Sequence, residues 1–166
     1  EDLDPVSHVV ALEAYCLYRA GGWADANRKI DDAVNQTPRD PLVLSIQAYI
    51  LYDMNSLERA EVIVEKALSF DQNQQFIQPR RLKGYICQRT VRKDCEQEMW
   101  PMVLKMDPLS LAGLAGQARL LIADKNIKEA KKFLLKGLKH SPRYMPFYSI
   151  NKTISQAEDL EKSKGL

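Results

Sequence analysis

Apolar residues along this chain recur at spacings of 3 and 4 in stretches of about fourteen residues, with short polar stretches between them, a pattern that predicts paired amphipathic helices. A first pair is expected at about 7–20 and 23–36, turning at Gly21-Gly22, and a second at about 41–54 and 57–70, turning at Asn55-Ser56. Asp40 offers an N-cap to the third helix, and Pro41 fits its first position, where a missing N–H costs nothing. A further pair is expected at about 109–124 and 127–140; Asn126 followed by Glu129 gives the second of these a capping-box-like start. A last helix over Phe147–Leu160 places Ile150, Ile154 and Ala157 on one face, suited to capping the end of a helical stack.

The pattern repeats with a period of 34 residues: Ala14, Tyr15, Leu17, Tyr18, Ala26 and Ala33 return as Ala48, Tyr49, Leu51, Tyr52, Ala60 and Ala67. Seventy residues after the second unit, Gln47-Ala48, Leu51 and Ala60 return as Gln117-Ala118, Leu121 and Ala130. Between them lies a degenerate third unit, with Gly84 in the small-residue place, Asp107-Pro108 at its end and a two-residue insertion near Asp71–Ile77. Glu96 stands there where Ala is expected, and Pro101 is expected to kink or shorten the helix that holds it. A period near 34 is a helix–turn–helix solenoid signature. The expected fold is therefore all-α, a right-handed α-solenoid of about four repeats at 7–40, 41–74, 77–110 and 111–144, with a capping helix at about 147–161, in a single domain 1–166.

Composition adds mainly exclusions. With 45% hydrophobic and 28% charged residues, 7 Gly and no run of 18 apolar residues, the 166-residue chain reads as an ordered helical protein without a membrane span. A net charge of +2 is no nucleic-acid footprint, and the basic runs Pro79–Lys83 and Lys128–Lys132 read as solvated helix faces. The sequence opens at Glu1 with no charged-then-apolar signal stretch, so a targeting segment is expected to have been removed or never to have been there. Three cysteines lack the spacing of zinc ligands, and two distant histidines, His8 and His140, support neither a metal cluster nor a triad. No catalytic residue, metal or cofactor is expected.

The repeating residues resemble the tetratricopeptide repeat family, whose unit has one small residue in the first helix, two in the second and a closing proline. Here these are Ala14, Ala26, Ala33 and Pro38; then Ala48, Ala60 and Ala67, with Gln72 in place of the proline; then Ala118, Ala130, Gly137 and Pro142. The third unit keeps Gly84 and Pro108 but has Glu96 and Val103 for the alanines. Small residues are needed where closely packed helices cross.

The resemblance implies a concave groove lined by the first helices, taking a peptide or helix of a partner protein. Its lining positions here are Ala11, Tyr15, Tyr18 and Arg19; Ser45, Tyr49, Tyr52 and Asp53; Arg81, Tyr85, Gln88 and Arg89; and Ala115, Arg119, Ile122 and Ala123. Tyr15, Tyr49 and Tyr85 are expected to form a ladder across three helices, bordered by arginines that favour a segment with carboxylates beside apolar anchors. The alternative, less favoured, is that the tyrosines seal repeat against repeat. Some family members grip a C-terminal carboxylate with Lys and Asn; the corresponding Ala11, Tyr15, Ser45 and Tyr49 provide no such clamp.

Cys87 and Cys95 could bond across the intervening turn or remain two free thiols. The expected role is a scaffold or adaptor in a multiprotein assembly such as a bacterial secretion or pilus-assembly machine. The alternatives are self-association through the last helix or the convex face and, less favoured, RNA binding. A periplasmic setting is favoured over a cytoplasmic one, and no small-molecule substrate is expected.

Overall fold

The computed structural model describes residues 5–163, the side chain of residue 161 excepted. These residues form nine α-helices and no strand: α1 (Pro5–Arg19), α2 (Trp23–Gln36), α3 (Pro41–Asp53), α4 (Leu57–Phe70), α5 (Ile77–Arg89), α6 (Lys93–Met106), α7 (Leu111–Ala123), α8 (Ile127–His140) and α9 (Met145–Ser163). The chain divides between Ile86 and Cys87 into two compact units.

In the first unit, α1, α2 and α3 enclose Ala11, Ala14, Ile30, Ala33, Val43, Ile46 and Ile50, while α3, α4 and α5 enclose Ala48, Ala60, Val64, Leu82 and Ile86. The small residues of the repeat pattern, Ala14, Ala26, Ala33, Ala48, Ala60 and Ala67, are all fully buried, as close helix crossing requires. Each Ile or Leu so enclosed contributes about 1.5–3 kcal/mol of transfer free energy. The register is the same in α3 and α5, whereas the corresponding Val9, Leu12 and Cys16 of α1 are exposed. Residues five before, two before and two after the small residue of a first helix are buried in α3 as Val43, Ile46 and Ile50, and in α5 Leu82 and Ile86 fill the last two of these places.

Helix ends follow local chemistry. The Asp40 side chain accepts from Leu42 N and Val43 N, at 2.8 and 3.1 Å, and Pro41 opens α3. The two-residue insertion falls between α4 and α5 and is tied by a buried ion pair that the sequence pattern did not reveal. The Asp71 carboxylate accepts from Gln75 N at 2.8 Å and Phe76 N at 3.2 Å and pairs with Arg80, which also donates to Phe76 O at 2.8 Å. The turns inside the helical pairs each hold one residue in the left-handed region: Gly21 (φ 88°), Asn55 (63°), Val91 (55°) and Lys125 (58°).

In the second unit, α7, α8 and α9 enclose Leu114, Ala118, Ala130, Leu134, Phe147, Ile150 and Ile154. The helix expected over Phe147–Leu160 packs on α7 and α8 and begins two residues earlier than its apolar pattern suggested, at Met145. Pro101 does not shorten its helix: α6 runs 14 residues, as do α2, α4 and α8. The missing alanines of this repeat are compensated by a different fit. Trp100, fully buried, fills a notch in α7 where a Cβ on Gly116 would stand 2.4 Å from its ring, and its Nε1 donates to Glu96 at 3.3 Å. Gly137 makes the same concession to Phe147, with a Cβ there standing 2.0 Å from the ring.

Candidate protein-binding groove

Two polar contacts position the first helices of the first unit. His8 Nε2 lies 2.7 Å from Asp40 Oδ2, joining the start of α1 to the cap of α3, and Ser7 Oγ donates to Gln36 Oε1 at 3.2 Å. With α1 set beside α3, Tyr15 meets Tyr49 edge-on at 6.5 Å between ring centroids. The next contact is displaced along the helices. Tyr85 packs on Tyr52 at 6.3 Å, and the Tyr49 ring receives Arg81 instead, with Arg81 Nε donating to the Tyr49 hydroxyl at 3.1 Å and the guanidinium 6.0 Å from the ring centre. The expected ladder of Tyr15, Tyr49 and Tyr85 is therefore two tyrosine pairs with an arginine between them. Pairs of this geometry add about 0.5–1.5 kcal/mol beyond the area they bury.

Arg19 extends the series, donating to the Tyr15 hydroxyl at 3.3 Å with its guanidinium 6.0 Å from the same ring. The Tyr15 hydroxyl, aided by Asp53, raises the Arg19 pKa above its ordinary value. Burial pushes the Tyr49 phenol up, against the opposing pull of Arg81. Tyr15, Tyr18, Tyr49 and Tyr52 each rest against one of the two apolar clusters yet stay half-buried. Each therefore seals repeat to repeat with part of its ring and presents the rest to solvent.

Between these rings opens a cavity of about 220 Å³ lined by Leu12, Tyr15, Leu42, Ile46, Tyr49, Gln78 and Arg81. Three of these residues, Tyr15, Tyr49 and Arg81, are among the lining positions expected from sequence. Leu12, Leu42, Ile46 and Gln78 were not. Leu12 and Ile46 stand at the same place in successive repeats, two before the small residue, and that repetition was the available signal.

In the second unit, Arg89 is exposed at the end of α5, and Arg119 is half-buried and donates to Gln88 Oε1. That contact joins the same two repeat positions as Tyr52 and Tyr85. Ala115 is buried in the core and Ala123 is exposed. Cys87 and Cys95 are joined as a disulfide across the turn, with Cα atoms 5.9 Å apart, while Cys16 is a free, exposed thiol.

No family model matches the chain, and no curated protein does. Solved structures do. PilW, a widely conserved type IV pilus biogenesis factor, matches with a TM-score of 0.80 and 19% identity over 96% of this chain and 73% of its own. Yeast Tom70 matches with a TM-score of 0.69 and 22% identity over 93% of this chain; the chain spans 32% of the Tom70 length. A tetratricopeptide repeat protein from Parabacteroides merdae matches with a TM-score of 0.68 and 16% identity, over 92% of this chain and 60% of its own. At these identities the likeness establishes architecture, and it agrees with the buried small residues and the helix-pair register: the chain is an all-α helical-repeat solenoid with the tetratricopeptide-repeat fold.

Proposed function

We propose that this chain is a protein–protein interaction scaffold whose first unit grips a segment of a partner protein along α1, α3 and α5. The observation that carries the reading is the cavity between Tyr15, Tyr49 and Arg81. Its apolar wall, Leu12, Leu42 and Ile46, suits an aliphatic or aromatic side chain. Arg19 and Arg81 at the tyrosine hydroxyls supply the positive border that a carboxylate beside such an anchor would meet. Tyr18, Tyr52 and Tyr85 extend the aromatic surface in this unit, and Arg89 and Arg119 serve as positive contacts in the second. The proposal assigns no catalytic step to the chain.

The likeness to PilW supports a place in an assembly machine such as one that builds pili or secretes proteins. The Cys87–Cys95 bond supports an oxidising compartment, the periplasm ahead of the cytoplasm. The test is a pull-down from lysate with wild-type protein and a Tyr49→Ala/Tyr85→Ala variant of equal helicity by circular dichroism. A partner lost only from the variant supports the groove. A partner held equally by both refutes it.

A further inference from the structure

The near-neutral charge of the chain conceals an uneven distribution. Residues 1–86 carry nine Lys and Arg against thirteen Asp and Glu, whereas residues 87–166 carry fifteen against nine. The excess gathers on α8, where Lys128, Lys131, Lys132, Lys136 and Lys139 recur at spacings of 3 and 4 and are all exposed, forming one row about 16 Å long. Lys125 stands just ahead of the helix. Glu158 and Glu129 pair with Lys131 and Lys132, each at 2.6 Å, while Lys125, Lys128, Lys136 and Lys139 make no ion pair among the described residues. Like charges four apart, Lys128 with Lys132 and Lys132 with Lys136, destabilise the helix that carries them.

Two features of the row identify what it fits. The helix holds five lysines and no arginine, and Phe133, between Lys132 and Lys136 in sequence, packs against the core instead of standing among the exposed lysines, so the directional pairing and base stacking by which proteins and nucleic acids are read are missing. Leu135 lies in the middle of the row and is 57% exposed. A leucine there offers nothing to a phosphodiester backbone, but at a bilayer it enters the boundary between headgroups and acyl chains. We propose that the α8 row docks the protein peripherally on an anionic phospholipid bilayer, with the lysines among the headgroups and Leu135 dipping beneath them. The opposite face of α8, Ala130, Leu134 and Gly137, stays in the core, so docking requires no unfolding. The row belongs to α8 in the second unit, and the proposal does not rest on the groove reading.

The test is co-sedimentation of the full chain with phosphatidylcholine vesicles, with and without about a third phosphatidylglycerol, at low and at high salt. Binding is expected only to the anionic vesicles and only at low salt, weakening about fivefold for each of Lys128→Gln, Lys132→Gln and Lys136→Gln and further for Leu135→Ser. Circular dichroism confirms equal helicity of the variants. Absence of wild-type binding, equal binding to neutral vesicles, or an unaffected triple variant would each overturn the proposal. So would tighter binding to duplex RNA that ignores Leu135→Ser, which would assign the row to nucleic acid.

Discussion

Gly116→Ala tests the packing that replaces the alanine crossings in the third repeat. The new methyl carbon would stand 2.4 Å from Cδ2 and Cε2 of Trp100 and 2.6 Å from its Nε1, against an optimal carbon–carbon contact of about 3.5–4.0 Å. The indole is rigid, fully buried and bonded to Glu96, so it has little room to retreat. Alanine gains about 1 kcal/mol over glycine in a helix interior, while forcing a methyl into a filled core costs about 1–3 kcal/mol. The clash lies at the severe end of that range, which leaves a net loss of about 1–2 kcal/mol and a Tm lower by about 3–6 °C. Urea unfolding followed by circular dichroism measures it, and Gly116→Ala/Trp100→Leu should lose less than the sum of its two single changes. If Gly116→Ala instead gained the full helix-propensity increment, the notch would not be what holds α6 to α7.

Other perturbations follow from single contacts. Arg80→Met strands a buried carboxylate and should cost about 3–5 kcal/mol in urea unfolding, with faster proteolysis of the 71–76 loop. Val91 is a β-branched residue at φ 55° with 86% exposure, so Val91→Asn should stabilise by about 0.5–1 kcal/mol in the same assay. The Tyr49 phenol is raised in the folded state, so its contribution is full below the unfolded value of about 10 and is lost as pH climbs through the folded value; thermal melts across that range should fall less steeply for Tyr49→Phe.

Helix positions and pairing were legible because the 34-residue period fixes which residues are small and which face is apolar. Ala48 and Ala60 carried that information by themselves, and the loop insertion before α5 followed from counting between Ala48 and Gly84. What escaped was held by partners distant in sequence. Glu96 and Val103 read as marks of an irregular repeat until Trp100 and Gly116 are seen as a bulky residue and the notch that receives it. Asp71 and Arg80 read as ordinary loop and helix charges, because burial, which gives the pair its weight, is not encoded locally. Around the cavity, Tyr15, Tyr49 and Arg81 were legible as neighbouring residue types and not as contacts: equal repeat positions predict a straight tyrosine ladder, whereas a stagger between α3 and α5 sets Tyr85 on Tyr52 and seats Arg81 at Tyr49.

The most direct measurement of the groove is photo-cross-linking with a benzophenone amino acid placed, one position at a time, at Leu12 or Gln78 on the cavity wall and at Val62 or Lys66 on the exposed side of α4. The account predicts a discrete protein adduct from Leu12 and Gln78 that disappears when Tyr49→Ala is added, and none from α4. Adducts from Val62 and Lys66 alone, or adducts from the cavity wall that survive Tyr49→Ala, would contradict it.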